Sequence, residues 1–377
     1  MSDTQNAASQ GLLGIPIGLL VAVLALIGVL LMPLPADLPV AGQRVLAILV
    51  FAVVVWITEA VSYEVSAIMI TALLAFLVGT APTLENPEVV YGTSKAIGMG
   101  LSGFANPALA LVAGALFIAA AMTLTGLDRR IALMTLSRVG TSSRHILGGT
   151  LVVIVLLSLV VPSATARAAC VVPIMLGIIT AFGIDKRSNF AAGMMIIVAQ
   201  GTSIWNIGIQ TAAAQNLLLV GFMDKLLGER VSWIDWLIAG APWAVLMSFV
   251  LLFIVLKLLP PETERIAGGK EAVARSLAEL GPMTSAQKRL LAVSIGLLLC
   301  WATEGKLHSF DTTSTTYAGL VILMLPRIGV MNWKEVQARV PWGTVIVFGV
   351  GISLGTVLLT TQAGQWLGAP VVAHTGL

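Results

Sequence analysis

VPSATARAAC, residues 161–170, interrupts an apolar run, with LVVIVLLSLV before it (151–160) and VVPIMLGII after it (171–179). Pro162 lacks an amide hydrogen and favours a break, and Ser163 and Thr165 can satisfy the backbone groups that a break sets free. Arg167 puts a charge in the same place, at a cost of about 3 kcal/mol on insertion scales. Such a stretch persists only where other groups compensate it.

The surroundings set the class. Of 377 residues, 58% are hydrophobic and 10% charged, against about 25% charged in a soluble domain. This composition describes an integral membrane protein built of helices. The net charge of +3 gives no signal for nucleic acid. Cys170 and Cys300 show no metal or redox spacing and read as small apolar residues. His145, His308 and His374 lie at segment ends without ligand spacing, and no nucleophile–base or phosphate-loop motif is present, so the sequence is not that of an enzyme.

Spanning helices need about 20 apolar residues. The sequence predicts them at 11–32, 44–57, 64–80, 104–125, 190–222, 232–258, 289–303, 314–330 and 342–365. Residues 145–182 are apolar on both sides of the break and too long for one helix. They predict two half-length helices meeting at 162–165 in a re-entrant hairpin, tolerated at membrane depth only when buried in protein or facing a water-filled cavity. Charge placement tests this. With a cytoplasmic N-terminus and a hairpin that returns to its own side, fifteen of the 21 Lys and Arg fall on the inner side and five on the outer, with Arg167 in the membrane. A single crossing would destroy that bias. LDRRIALMTLSR (127–138) places apolar residues at helical spacing between basic ones, the pattern of a short helix in the cytoplasmic interface. Residues 259–288 form a polar linker with one short helix.

A repeat divides the chain. WITEA (56–60) recurs as WATEG (301–305), and ALVAGALFIAAAMTLTGL resembles TVIVFGVGISLGTVLLTTQAG in length and small-residue content. The topology makes these copies opposite in direction, as in the inverted repeats of secondary transporters. Carrying the period forward from Gly114 and Gly349 puts a second Ser163-like tip about 20 residues past Leu377, so the second hairpin is expected to be missing from this sequence.

Two polar islands are the candidate site. At the first, a helix restarting at Ala164 would present its N-terminal amides and dipole, and Arg167 would either bind an anionic substrate bidentately or stand in the place of a coupling cation. A kinked helix with back-bonded hydroxyls and a structural ion pair is the alternative. The second island, QGTSIWNIGIQTAAAQN (200–216), is too polar for a lipid-facing helix; it reads as an unwound stretch or as polar contacts between helices.

These residues resemble the divalent anion:sodium symporter (DASS) family, carriers of sulfate and di- or tricarboxylates. PSATARAACVVPI is similar to the family's PSNTARAA-type hairpin signature and WITEAVSYEVSAIMITALL to its early WITEA segment. GFANPALALVAGALFIAAAMTLTGLDRRIA resembles its fourth helix and interfacial helix, and IQTAAAQN the broken helix ending in Pro-Asn. VSWIDWLIAGAPW and KLLPPE resemble the branch of citrate and succinate carriers and plastid dicarboxylate translocators. The similarity runs from about residue 44 to the end of the sequence.

The resemblance implies an inverted-repeat, elevator-type secondary transporter, homodimeric, in a bacterial inner membrane, moving C4-dicarboxylate or tricarboxylate by cation-coupled symport or by exchange. Sulfate carriage, a non-transporting membrane sensor and an inactive fragment are the alternatives. The implied organisation is a polar tail (1–10), first-repeat scaffold (11–125), interfacial helix (126–144), transport half (145–258, with hairpin 145–182, broken helix 190–222 and helix 232–258), linker (259–288) and second-repeat scaffold (289–377). Mapped onto this sequence, substrate contacts fall on Ser163, Ala164, Thr165, Arg167, Thr211, Ala213 and Asn216. A sodium site falls on Ser163, Ala164 and Ala212. No other cofactor is implied, and the partners are the anion and membrane lipid. Ala164 replaces the family's tip asparagine and Gln215 the usual proline before Asn216, which leaves exchange open beside sodium symport.

Overall fold

The computed structural model describes residues 16–35, 37–140, 142–264 and 269–375. Among them the regular structure is helical, with no β-strand. In chain order the first helices are α1 (Ile17–Leu31), α2 (Val40–Thr58), α3 (Tyr63–Leu73), α4 (Thr93–Leu101), α5 (Pro107–Thr125) and α6 (Leu127–Ser137). Then come α7 (Ser143–Val160), α8 (Ala164–Ala181), α9 (Asn189–Gly208), α10 (Ala214–Leu227) and α11 (Trp233–Leu258). The last are α12 (Gly269–Glu279), α13 (Ser285–Thr303), α14 (Thr312–Met324), α15 (Trp333–Gln337), α16 (Trp342–Thr360) and α17 (Ala363–Thr375). Six of these, α2, α5, α7, α9, α11 and α16, are long and apolar enough to cross a membrane. The start of the first expected span lies outside the described residues.

The chain forms two compact units, residues 1–109 with 341–377, and residues 110–340. In the first, Phe51, Ile48, Ile70 and Leu74 meet Val350, Leu354 and Val357 of α16. Lipid tails are as apolar as these side chains, so close approach rather than water exclusion holds the helices together. Small residues allow it. A Cβ on Gly18 would lie 2.4 Å from Thr58 Oγ1, and one on Gly103 would lie 2.1 Å from the Gly349 carbonyl oxygen. The Gly103 amide also donates to Ser353 Oγ at 2.9 Å. A π-helical turn at Leu74–Val78 ends α3. Wide turns free carbonyls, and Arg44 uses one, donating to Leu77 O at 2.6 Å and to Thr80 Oγ1 at 2.8 Å.

In the second unit α9 packs between α7 and α11, and α6 packs on α7, α8 and α12. The linker is stitched down at both ends. Ser143 donates its amide to Glu264 O and its hydroxyl to Thr263 O, while Glu262 accepts the Asn189 amide at 2.5 Å and the Phe190 amide at 3.3 Å at the start of α9. At the other end the buried Arg130 donates to Gln287 Oε1 and to the carbonyls of Leu280, Gly281 and Pro282, and Gln287 donates to Thr125 O.

The structure corrects several expectations. The hairpin arms are not half-length: each has 18 residues, about 27 Å of helix. The break covers 161–163, so Ala164 and Thr165 already belong to α8. Thr150 Oγ1 lies 3.6 Å from Met175 Sδ. These residues stand at matched distances either side of the break, so α7 and α8 fold back on each other; a continued kinked helix would hold them far apart. The second island unwinds only at 209–213, and Gly201, Thr202, Asn206 and Gly208 stay helical in α9. Helix α4 was not expected, because TSKAIGMGL has little apolar run, and 342–365 splits into α16 and α17 around Thr361 and Gln362. Both cysteines are half-buried free thiols.

A candidate substrate site at two helix breaks

Ser163, in extended backbone, is the N-cap of α8, and its Oγ accepts the Ala166 amide at 3.3 Å. Its carbonyl accepts the Arg167 amide. The amides of Ala164 and Thr165 lie ahead of the helical ladder, so this end of α8 carries the partial positive charge of a helix N-terminus. Ser163 and Ala164 are half-buried and Thr165 is exposed. The tip is therefore the accessible part of the site.

Beneath it, Arg167 is the largest fully buried side chain, with 0% exposure. Its Nη1 donates to Val161 O at 2.8 Å and to Ala212 O at 3.0 Å, and its Nη2 donates to Asn206 Oδ1. One guanidinium thus gathers a carbonyl from the first break, a carbonyl from the second, and the amide oxygen one turn before the second. Nε finds no acceptor among the described residues, and no carboxylate among them lies within ion-pair distance of Arg167, the recorded pair being Arg230 with Asp224. The charge is solvated by dipoles and has no counter-ion among the described residues.

The second break runs from Ile209 to Ala213, both in extended backbone. Asn216 holds it. Its Nδ2 donates to the carbonyls of Asn206 at 2.5 Å, Ile209 at 3.1 Å and Gln210 at 3.3 Å, so the backbone groups released by unwinding are taken up by one side chain. Helix α11 holds the break from its other side. Trp233 Nε1 donates to Thr211 Oγ1 at 3.1 Å, Trp236 Nε1 to Ile207 O at 2.8 Å, and Gln210 Nε2 to Val231 O at 3.1 Å.

Hydrogen bonds therefore bring Arg167 and Ala212 together with Asn206, which in turn is tied to Asn216. Ser163 and Ala164 stand one turn above Arg167 on α8, and Thr165 faces outward. Thr211 and Ala213 are buried, and Thr211 spends its hydroxyl on Trp233. The tryptophans were not among the expected site residues. Trp233 and Trp236, three apart directly after the helix-capping Ser232, share a face of α11, and that spacing was the available signal. No group of metal-ligating side chains occurs among the described residues.

Six spanning-length helices among the described residues, with two breaks inside apolar segments, are those of a polytopic membrane protein and agree with the transporter class. The model for the sodium:sulfate symporter transmembrane region matches residues 16–376. The chain belongs to the sodium:sulfate symporter family, and is accordingly a transporter of small anions rather than an enzyme. Among its relatives, a membrane protein of Cupriavidus necator is 72% identical over 360 residues, covering 96% of this chain and 70% of that protein. The sodium-dependent dicarboxylate transporter SdcS of Staphylococcus saprophyticus is 26% identical over 375 residues, covering 93% and 69%. Its counterpart in Staphylococcus aureus (strain NCTC 8325) is 26% identical over 384 residues, covering 96% and 71%.

Proposed function

We propose that this protein is a secondary carrier of small divalent organic anions, C4-dicarboxylates first among them, across a bacterial inner membrane. The observation that carries the reading is the Arg167 guanidinium, which binds the two breaks together beneath an accessible helix N-terminus. A carboxylate at the tip would meet the first-turn amides of α8 and the hydroxyls of Ser163 and Thr165, in the field of a buried charge that has no counter-ion among the described residues. In a site of low dielectric that field is felt strongly. The staphylococcal relatives, named as dicarboxylate transporters, favour dicarboxylate over sulfate.

Coupling follows from the same geometry. The carbonyls of Val161 and Ala212 are ligands of the kind that hold a small cation, and here the guanidinium takes them. Ala164 offers no side-chain ligand. The tip thus carries its own cation, which favours exchange, or coupling to a cation bound elsewhere, over sodium symport at this position. Movement of the hairpin and α9 in an elevator-like step, a homodimeric assembly and a cytoplasmic N-terminus belong to the same reading.

Counterflow tests it. Proteoliposomes loaded with unlabelled succinate should accumulate labelled succinate, with citrate and sulfate as competitors. Binding of succinate without counterflow would make the protein a sensor, and competition by sulfate alone would make it an inorganic-anion carrier.

A further inference from the structure

The three oxygens that accept from the Arg167 guanidinium are all neutral. Nη1 donates to Val161 O at 2.8 Å and to Ala212 O at 3.0 Å, and Nη2 donates to Asn206 Oδ1. Two of these acceptors are backbone carbonyls, which no substitution can charge. The third belongs to a side chain, so position 206 decides whether the guanidinium meets a dipole or an anion. Asn206 is held in place from both ends. A guanidinium offers N–H groups alone, so the amide must turn its oxygen to Arg167, and the Asn206 carbonyl accepts Asn216 Nδ2 at 2.5 Å.

The charge so held is close to the tip. Val161 O accepts both the guanidinium and the Ser163 amide, each at 2.8 Å. One oxygen atom therefore separates the cation from the N-cap of α8. Arg167 is fully buried, and a charge in such surroundings is weakly screened. Aspartate has nearly the size and shape of asparagine. At position 206 it would keep the bond to Nη2 and replace Nδ2 by a second oxygen, the geometry of an arginine–carboxylate pair. That pair would present no net charge to the tip.

We propose that Asn206 sets the charge preference of the anion site: its neutral amide anchors Arg167 without cancelling it, and so leaves a full positive charge for a doubly ionised substrate. The proposal rests on the carrier reading above and names the residue that suits its site to dianions over monoanions. Asn206 acts through Arg167, as a positioning residue. Coulomb energy scales with the charge of the substrate, so cancelling the field weakens a dianion about twice as much, in free energy, as a monoanion. A site that was merely distorted would lose affinity for both alike.

The test is calorimetric binding of succinate and of monomethyl succinate to the purified protein at neutral pH, where the first carries two charges and the second one. Wild type should prefer succinate. Asn206→Asp should lower that preference by about tenfold, with a Tm at or above that of wild type because the bond to Arg167 is kept and becomes charged. An undiminished preference in Asn206→Asp overturns the proposal, as does a wild type that binds both anions equally. If Asn206→Asp does not fold, Asn206→Glu and Asn206→Gln decide, being a second pair that differs in charge alone. The preference should be lower in the glutamate variant than in the glutamine variant, and equal preferences overturn the proposal. A wild type that binds neither anion would instead refute the carrier reading.

Discussion

At the scale of single residues, Arg167 carries the account. Its hydrogen bonds replace water for a charge at membrane depth, and they satisfy carbonyls that unwinding left open. Removing one partner of such an arrangement leaves the others unpaired, at about 1–3 kcal/mol for each buried group. Arg167→Ala should therefore destabilise the detergent-solubilised protein by on the order of 3 kcal/mol and abolish succinate counterflow; a thermal-unfolding midpoint and activity equal to wild type would remove the residue from the site. Trp236→Phe keeps the ring but loses the bond to Ile207 O. It should cost about 1 kcal/mol and weaken transport without abolishing it, as read by Tm and initial uptake rate.

At the scale of elements, helix ends and crossings do the positioning. Glu262 caps α9 from the linker. Slight desolvation raises its carboxyl, but the Asn189 and Phe190 amides outweigh it and hold the group below the ordinary glutamate range. A depressed folded-state value means the cap contributes at neutral pH and is lost on acidification through that value. Glu262→Gln should thus show less loss of stability between neutral and acidic pH than wild type, checked by Tm against pH. In the other unit Gly103→Ala drives a methyl into the Gly349 carbonyl, where only backbone can move, and should cost about 1–3 kcal/mol or more. An unchanged Tm would show that the crossing yields.

How much of this was legible depended on where the polar signal stood. Pro162, Ser163 and Arg167 in an apolar run, together with the Lys and Arg bias of the loops, announced the hairpin over a kinked helix. The length of its arms was not legible, since apolar composition does not say how obliquely a helix lies. In the second island Gly201, Thr202 and Asn206 read as unwound because they are polar or small, yet tertiary packing on α7 and α8 keeps them helical, and only 209–213 opens. The burial of Asp128 was not legible: in LDRR it reads as one more surface charge, and its burial comes from helices distant in sequence.

At the scale of the molecule, each unit packs a helix from early in the chain against one from late in it. In one unit α16 lies on α3 and α4. In the other a Cβ on Gly114 of α5 would lie 3.0 Å from Thr316 of α14, the helix that follows WATEG as α3 follows WITEA. The paired breaks both lie in the unit of residues 110–340.

The proposed carrier holds a divalent anion at a tip where Arg167 already supplies the positive charge. Succinate counterflow in proteoliposomes with all sodium replaced by choline tests it most directly. The account predicts counterflow undiminished by the replacement and lost in Arg167→Ala; counterflow that stops without sodium, or that survives in Arg167→Ala, would contradict it.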